Sequence, residues 1–248
     1  MINLQNVTFS YAQTDGAGGI KNINLTVDSG EAVLLCGESG CGKTTLTRLI
    51  NGLIPHYYEG ELEGTVVVDG LNVPDTPLYE LAPHVSSVFQ NPRSQFFTVD
   101  TTSELAFGCE NLGMAETEIL SRIERVAQEY NLTPLMGRRI FALSGGEKQK
   151  IACACASVIQ ADVIVLDEPS SNLDAAAIGD IRKALKQWKL QGKTIIVAEH
   201  RLHYLADIVD RVVYMKEGQI EKIYPVGDFL SMQEKEREDM GLRLFSLS

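Results

Sequence analysis

Residues 32–45 read AVLLCGESGCGKTT, and this stretch decides the fold. Ala32 to Cys36 are apolar without a break, as strands buried on both faces of a parallel sheet are. Gly37, Glu38, Ser39, Gly40, Cys41, Gly42, Lys43 and Thr44 then match G-x-x-x-x-G-K-[ST], with Thr45 next in line. Strand before and amphipathic helix after are the context a phosphate-binding loop requires. Glycines let the backbone curl so that several N–H groups face phosphate oxygens, and the helix N-terminus adds its positive dipole end. Lys43 can then reach β- and γ-phosphates, and the Thr44 hydroxyl can ligate Mg²⁺. Cys41 reads as a filler of this loop. A helix N-terminus favours its thiolate, with incidental reactivity only.

Beyond the loop, Leu46, Leu49, Ile50 and Leu53 repeat at helical spacing until Pro55, which is expected to stop the helix. Three more apolar runs occur at 85–89, 162–166 and 194–198, with a second helical stripe at Ile178, Ile181, Leu185 and Trp188. Strands alternating with helices imply an α/β core with a mainly parallel sheet. Residues 1–30 instead alternate apolar and polar (Ile2, Leu4, Val7, Phe9; Ile23, Leu25, Val27) around a turn at 14–19, the pattern of half-buried antiparallel strands. Residues 101–140 are mostly helical in pattern and charge, with Thr101-x-x-Glu104 signalling a helix start, which suggests a helical subdomain of about 91–160 set into the core.

A glycine or a polar residue succeeds each apolar run: Gly37 the first, Gln90 the second, Asp167 and Glu168 the third, His200 the fourth. Ligands of parallel α/β sheets sit beyond the carboxyl ends of the strands, so these residues converge on one edge. Asp167 suits Mg²⁺ or its water, and Gln90 can reach the metal as well. Glu168, one residue further out, suits a general base. Singly, Gln90 and His200 are ordinary loop residues; their shared placement is what raises them.

Residues 143–150 read LSGGEKQK. Ser144 and Glu147 form a capping box, which explains a helix start. It does not explain Gly145 and Gly146, each costing about 1 kcal/mol against Ala inside a helix. Two glycines behind a serine at a helix N-terminus offer a second phosphate-cradling surface. A chain with two such surfaces and one nucleotide motif set is expected to complete its site with a second copy.

Composition narrows the setting. The 248 residues are 44% apolar and 22% charged, and the net charge of −11 argues against nucleic acid as a partner. Five cysteines without a CxxC pair read as reduced thiols. No apolar run of membrane-spanning length occurs, and the N-terminus lacks a signal-peptide layout, so the chain is expected in the cytoplasm.

From Met1 to about Pro225 the chain resembles ABC transporter ATPases. The resemblance rests on GESGCGKT (37–44), LSGGE (143–147), VIVLDE (163–168), SNLD (171–174) and His200, in that order. It implies an ABC ATPase fold: a P-loop core, an N-terminal antiparallel β subdomain and an inserted helical subdomain. The implied ligands are ATP and Mg²⁺. Tyr11 would stack on adenine, Ser144, Gly145 and Gly146 would bind the γ-phosphate held by a partner copy, and Asp174 would couple the two sites. His200 would hold the γ-phosphate and the attacking water. Two copies, or a copy and a paralogue, would close head to tail.

The segments 90–113 and 198–220 further resemble ATPases of energy-coupling factor importers, which take up vitamins or metal ions. That likeness implies an integral membrane coupling subunit docked near 90–115, a substrate-binding membrane subunit, and a peripheral place on the cytoplasmic face of the membrane. On this likeness the segment past the core, 226–248, is expected to be a short tail in place of the longer C-terminal extension common in that group. Exporter function and non-transport ABC ATPase function are the alternatives.

Overall fold

The computed structural model describes residues 1–12 and 18–240, apart from the side chain of Arg93. Most of the turn expected at 14–19, and the last residues of the tail, lie outside them. The chain opens with β1 (Ile2–Tyr11), β2 (Ile20–Val27), β3 (Ala32–Cys36), α1 (Lys43–Ile50) and α2 (Leu53–His56). Then come β4 (Gly60–Val68), β5 (Leu71–Asn72), α3 (Leu78–Leu81) and β6 (Val85–Val88). The helices α4 (Thr101–Asn111), α5 (Glu116–Glu129) and α6 (Gly145–Ile159) precede β7 (Val163–Asp167). The chain continues through α7 (Ala175–Leu190), β8 (Thr194–Ala198), β9 (Arg211–Lys216), β10 (Gln219–Pro225), α8 (Val226–Ser231) and α9 (Glu234–Asp239).

Two sheets result. β2-β1-β4-β5 form an antiparallel sheet, and β10-β9-β3-β8-β7-β6 form the central one. In the central sheet β3 pairs in parallel with β8 and β9, and β7 in parallel with β6 and β8. All five residues of β3 and of β8 are buried, as their unbroken apolar runs require.

Strand pleating divides that burial between two cores. Val33 and Leu35 join Ile2, Leu4, Phe9, Leu46 and Leu49 beneath the antiparallel sheet. Ala32, Leu34 and Cys36 join Leu105, Ile123, Ile151, Leu185 and Trp188 on the opposite face. The long helices therefore cover one side and the antiparallel sheet with α1 covers the other.

Three local features differ from the sequence reading. The helix after the phosphate loop ends at Ile50, because Asn51 closes it and Gly52 takes a left-handed φ of +77°. Leu53 belongs to the separate turn α2, so glycine and not Pro55 is the terminator. At α4 the cap is Asp100, whose carboxylate accepts from the N–H groups of Thr102 and Ser103, both at 3.0 Å. Thr101 is buried one residue in and donates to the Leu135 carbonyl at 2.6 Å. Glu104 accepts instead from the backbone of Phe97 (3.1 Å) and Thr98 (2.8 Å).

The third feature is the β9–β10 hairpin at the sheet edge, which the apolar runs do not announce. Glu217 and Gly218 (φ +49° and +80°) nevertheless form a two-residue turn of the type hairpins favour. In the tail, Phe229 of α8 is fully buried and meets Tyr224 edge-on at 5.5 Å, whereas α9 buries nothing, as a solvated helix end. The segment before α6 is laced to the start of α4. Ile140 N–H donates to Val99 O and Thr101 N–H to Arg138 O, both at 3.0 Å, across an antiparallel bridge between Asp100 and Arg139.

Candidate active site

The loop between β3 and α1 curls as its glycines permit. Gly37 has φ +144°, and a Cβ there would lie 2.1 Å from the Met215 carbonyl of β9. A side chain at that position would push the loop off the sheet. Gly42 caps α1 with φ +106°, and its carbonyl accepts from Leu46 N–H at 2.9 Å. Glu38, Ser39 and Gly40 are exposed at the crest, while Gly37, Cys41, Gly42, Lys43 and Thr45 are buried. Lys43 Nζ donates to the carbonyls of Gly37 (2.9 Å) and Glu38 (3.0 Å), which holds the ammonium within the curl. Cys41 Sγ lies 3.7 Å from Lys43 Nζ, and burial pushes the neighbouring Cys36 thiol up to about 12.

The strand ends deliver the remaining groups. Thr44 Oγ1 donates to Asp167 Oδ1 at 3.2 Å, joining two of the three expected metal ligands. Burial pushes the Asp167 carboxyl above the usual aspartate range, with the Thr44 hydrogen bond opposing it. Glu168 takes a left-handed backbone conformation (φ +44°), and its N–H donates to Ala198 O of β8 at 2.8 Å. A non-glycine residue in that region is uncommon, and its persistence marks a constrained turn. Its carboxylate lies between two side chains: Gln90 Nε2 donates to one oxygen at 2.9 Å, and His200 Nε2 is 3.2 Å from the other. Three strand ends thus meet at one carboxylate.

Tyr11 stands beside the phosphate loop. Its hydroxyl lies 3.1 Å from Thr45 Oγ1 and accepts from Arg48 at 3.0 Å, while its ring meets Phe9 and Tyr58 edge-on. Thr44, Arg48, Tyr58, Gln90 and Asp167 border one cleft of about 220 Å³.

The LSGGE residues lie elsewhere. Ser144 caps α6: its Oγ accepts from Glu147 N–H at 3.2 Å, and Glu147 accepts from Ser144 N–H at 2.7 Å. That backbone donor first, then Ser144's hydroxyl and Arg138, hold the Glu147 carboxyl below the usual range. Asp174 caps α7, accepting from Ala177 N–H at 2.8 Å. Ser144, Gly145, Gly146, Glu147 and Asp174 line a second, open cleft of about 550 Å³ that shares no lining residue with the first. Gly146 has a packing reason too, since a Cβ there would come within 2.8 Å of Ala177 Cβ. Two residues near the chemistry escape a reading of the sequence, Arg48 and Glu199. Glu199 has a signal: a charged residue directly after the wholly buried TIIVA.

The donor set fits Mg²⁺. Thr44, Asp167 and Gln90 offer hard oxygen ligands, and among the described residues no group of three His, Cys, Asp or Glu could hold a metal without help. Such sparse protein ligation suits an ion that keeps waters and binds substrate phosphates.

Comparison with known proteins bears on the family and the fold. A family profile described as "ABC transporter" matches residues 20–171. A "Putative ABC transporter ATP-binding protein" of Treponema denticola is 48% identical over 248 residues, covering 100% of this chain and 50% of its own. The chain spans about half the length of that relative and, at 49%, of a second from the same organism. The solved structure of cbiO1 from Clostridium perfringens, part of the ABC transporter complex cbiONQ, superposes with TM-score 0.80 at 27% identity, covering 96% of this chain and 93% of that one. The dimeric cassette MJ0796, bound to ADP and Pi after hydrolysis, gives TM-score 0.79 at 26% identity, with 91% and 99% covered. The chain belongs to the ABC transporter family and carries its ATPase domain.

Proposed function

We propose that this chain is the ATP-hydrolysing subunit of an importer of the energy-coupling factor type, driving uptake of a vitamin or metal ion through separate membrane subunits. The observation that carries the hydrolytic part is the Glu168 carboxylate held between Gln90 and His200. In this reading the curl from Gly37 to Thr45 binds the phosphates, Lys43 neutralises them, and Tyr11 stacks on the base. Thr44, Asp167 and Gln90 would hold Mg²⁺, which when bound offsets phosphate charge in the transition state. Glu168 takes a proton from the attacking water, and His200 Nε2 orients that water and the terminal phosphate. Ser144, Gly145, Gly146 and Asp174 serve the nucleotide of a second copy or paralogue, since their cleft is not the one that Thr44 and Asp167 border. The dimeric form of MJ0796 supports that arrangement by similarity.

The importer part is supported by the likeness to cbiO1 and by an apolar surface. Among the described residues no helix is long and apolar enough to cross a membrane. Phe97, Val99 and Phe141 are 75%, 60% and 86% exposed, more than solvent contact alone favours. Phe97 stacks on Phe107 at 5.2 Å, giving a coupling subunit a rigid aromatic step to dock on at the membrane's cytoplasmic face. Affinity purification from native membranes tests this. Integral subunits should co-purify with the chain, and their absence would exclude the transport role.

A further inference from the structure

Glu199 is only 3% exposed, yet the hydrolytic reading gives it no task. Both of its oxygens are engaged. Oε1 accepts from the backbone N–H groups of His200 (2.8 Å) and Arg201 (3.3 Å). Oε2 accepts from Ser170 N–H (3.3 Å), the Ser170 hydroxyl (2.6 Å) and the Tyr204 hydroxyl (2.9 Å). The carboxylate thus joins two loops, Oε1 meeting one of them and Oε2 meeting both. One loop starts the turn that carries His200, and the other lies just past Glu168, where Ser170 is 1% exposed.

The arrangement is specific to a carboxylate. Five donors converge on two oxygens, and an acceptor-only group satisfies them all. An amide of the same size would turn its NH₂ toward donors on one side, leaving a buried N–H of Ser170 or of His200 without an acceptor. The side chain therefore does more than fill space: it fixes the distance between the turn after β7 and the turn after β8. The functional groups these turns present, Glu168 Oε1 and His200 Nε2, are the pair 3.2 Å apart.

We propose that Glu199 is a positioning residue that clamps the His200 turn to the Glu168 turn and so keeps the imidazole against the carboxylate during hydrolysis. The inference rests on the reading of Glu168 and His200 as the hydrolytic pair. A merely structural Glu199 would affect melting temperature and leave the geometry and turnover of the folded fraction alone.

The experiment compares Glu199→Gln with the parent full chain for melting temperature, ATP kinetics and the NMR signals of the histidine rings. His200→Ala assigns the His200 signal among the four histidines. The expected result is a folded variant whose His200 signal moves and whose kcat falls about 10- to 100-fold, the scale of a slightly misplaced catalytic group. KM for ATP should stay within about twofold, because the phosphate loop is untouched. Unmoved His200 signals, or an unchanged kcat, in folded Glu199→Gln overturn the proposal. Should that variant not fold, Tyr204→Phe, which removes a single donor to Oε2, is read by the same two criteria. If His200→Ala itself hydrolyses ATP at the parental rate, the underlying reading falls and takes this inference with it. An inactive His200→Ala beside a fully active Glu199→Gln removes the clamp alone.

Discussion

His200 Nε2 lies 3.2 Å from Glu168 Oε1, so an imidazole from the end of β8 touches the carboxylate from the end of β7. Neither residue is near the other in sequence, and parallel pairing of their strands is what joins them. In the hydrolytic reading proposed above, that contact favours Glu168 over Asp167 as the proton acceptor, since Asp167 is engaged by Thr44.

Replacing Glu168 with Gln should preserve ATP binding and lower kcat by about 10²–10⁴-fold, the usual contribution of a general base. The variant should accumulate as an ATP-bound dimer on size-exclusion chromatography. Turnover within about threefold of the parent would remove the role assigned here.

Ser144→Arg places a long cation in the second cleft and leaves the phosphate loop alone. Monomer binding of ATP, monitored with a fluorescent analogue, should be unchanged, while dimer closure and turnover are lost. If nucleotide binding by the monomer disappears, Ser144 serves its own chain's nucleotide.

Asp167 yields a prediction with a definite sign. Burial raises its folded-state pKa above the unfolded value, so its ionised form costs stability at neutral pH. That cost is relieved as pH falls through the raised folded pKa. Asp167→Asn should therefore raise the melting temperature of the nucleotide-free chain at pH 7 while abolishing Mg²⁺-dependent turnover. In the parent, the Mg²⁺ requirement should grow on acidification, starting at a higher pH than an ordinary aspartate would give. A Mg²⁺ requirement unchanged with pH, or a less stable Asn variant, would count against the role given to Asp167.

The aromatic pair at 96–97 splits into two tests. Phe96 packs against the main core, so Phe96→Asp should destabilise the fold. Phe97 is 75% exposed, so Phe97→Asp should keep basal ATPase and melting temperature while releasing the chain from native membranes. Retention on membranes by a folded Phe97→Asp protein would relocate the docking surface.

Asp100→Ala removes the two backbone bonds and the Ser103 hydroxyl bond that cap α4, and should cost about 1 kcal/mol in denaturant unfolding. Because hydrogen bonds to Ser103 hold the Asp100 carboxyl below the usual range, its contribution is present above the ordinary aspartate pKa and fades as pH falls through the lower folded value. The parent and the variant should thus converge in stability in acid.

The parallel core, the antiparallel subdomain and the convergence of Gln90, Asp167, Glu168 and His200 are all legible in the sequence. Unbroken apolar runs announce central strands, and the residues just past each run land on one edge of the sheet. The illegible features are decided by tertiary contacts. Asp100 outcompetes Thr101 as cap because the Thr101 hydroxyl finds the distant Leu135 carbonyl. Gly52 ends α1 where Leu81 and Leu78 crowd it, contacts far along the chain. Glu199 looks like an ordinary loop carboxylate until Ser170 and Tyr204 close over it.

The lacing between 99–101 and 138–140 has a mechanical consequence. Val99 and Thr101 are bonded to Ile140 and Arg138, and Arg138 in turn grips Glu147 at 2.9 Å in the first turn of α6. Exposed Val99 and the Ser144 helix cap thus lie at the two ends of a short train of hydrogen bonds. A partner pressing on Val99 would therefore load a backbone that is hydrogen-bonded, through Arg138, to the first turn of the helix that carries Ser144.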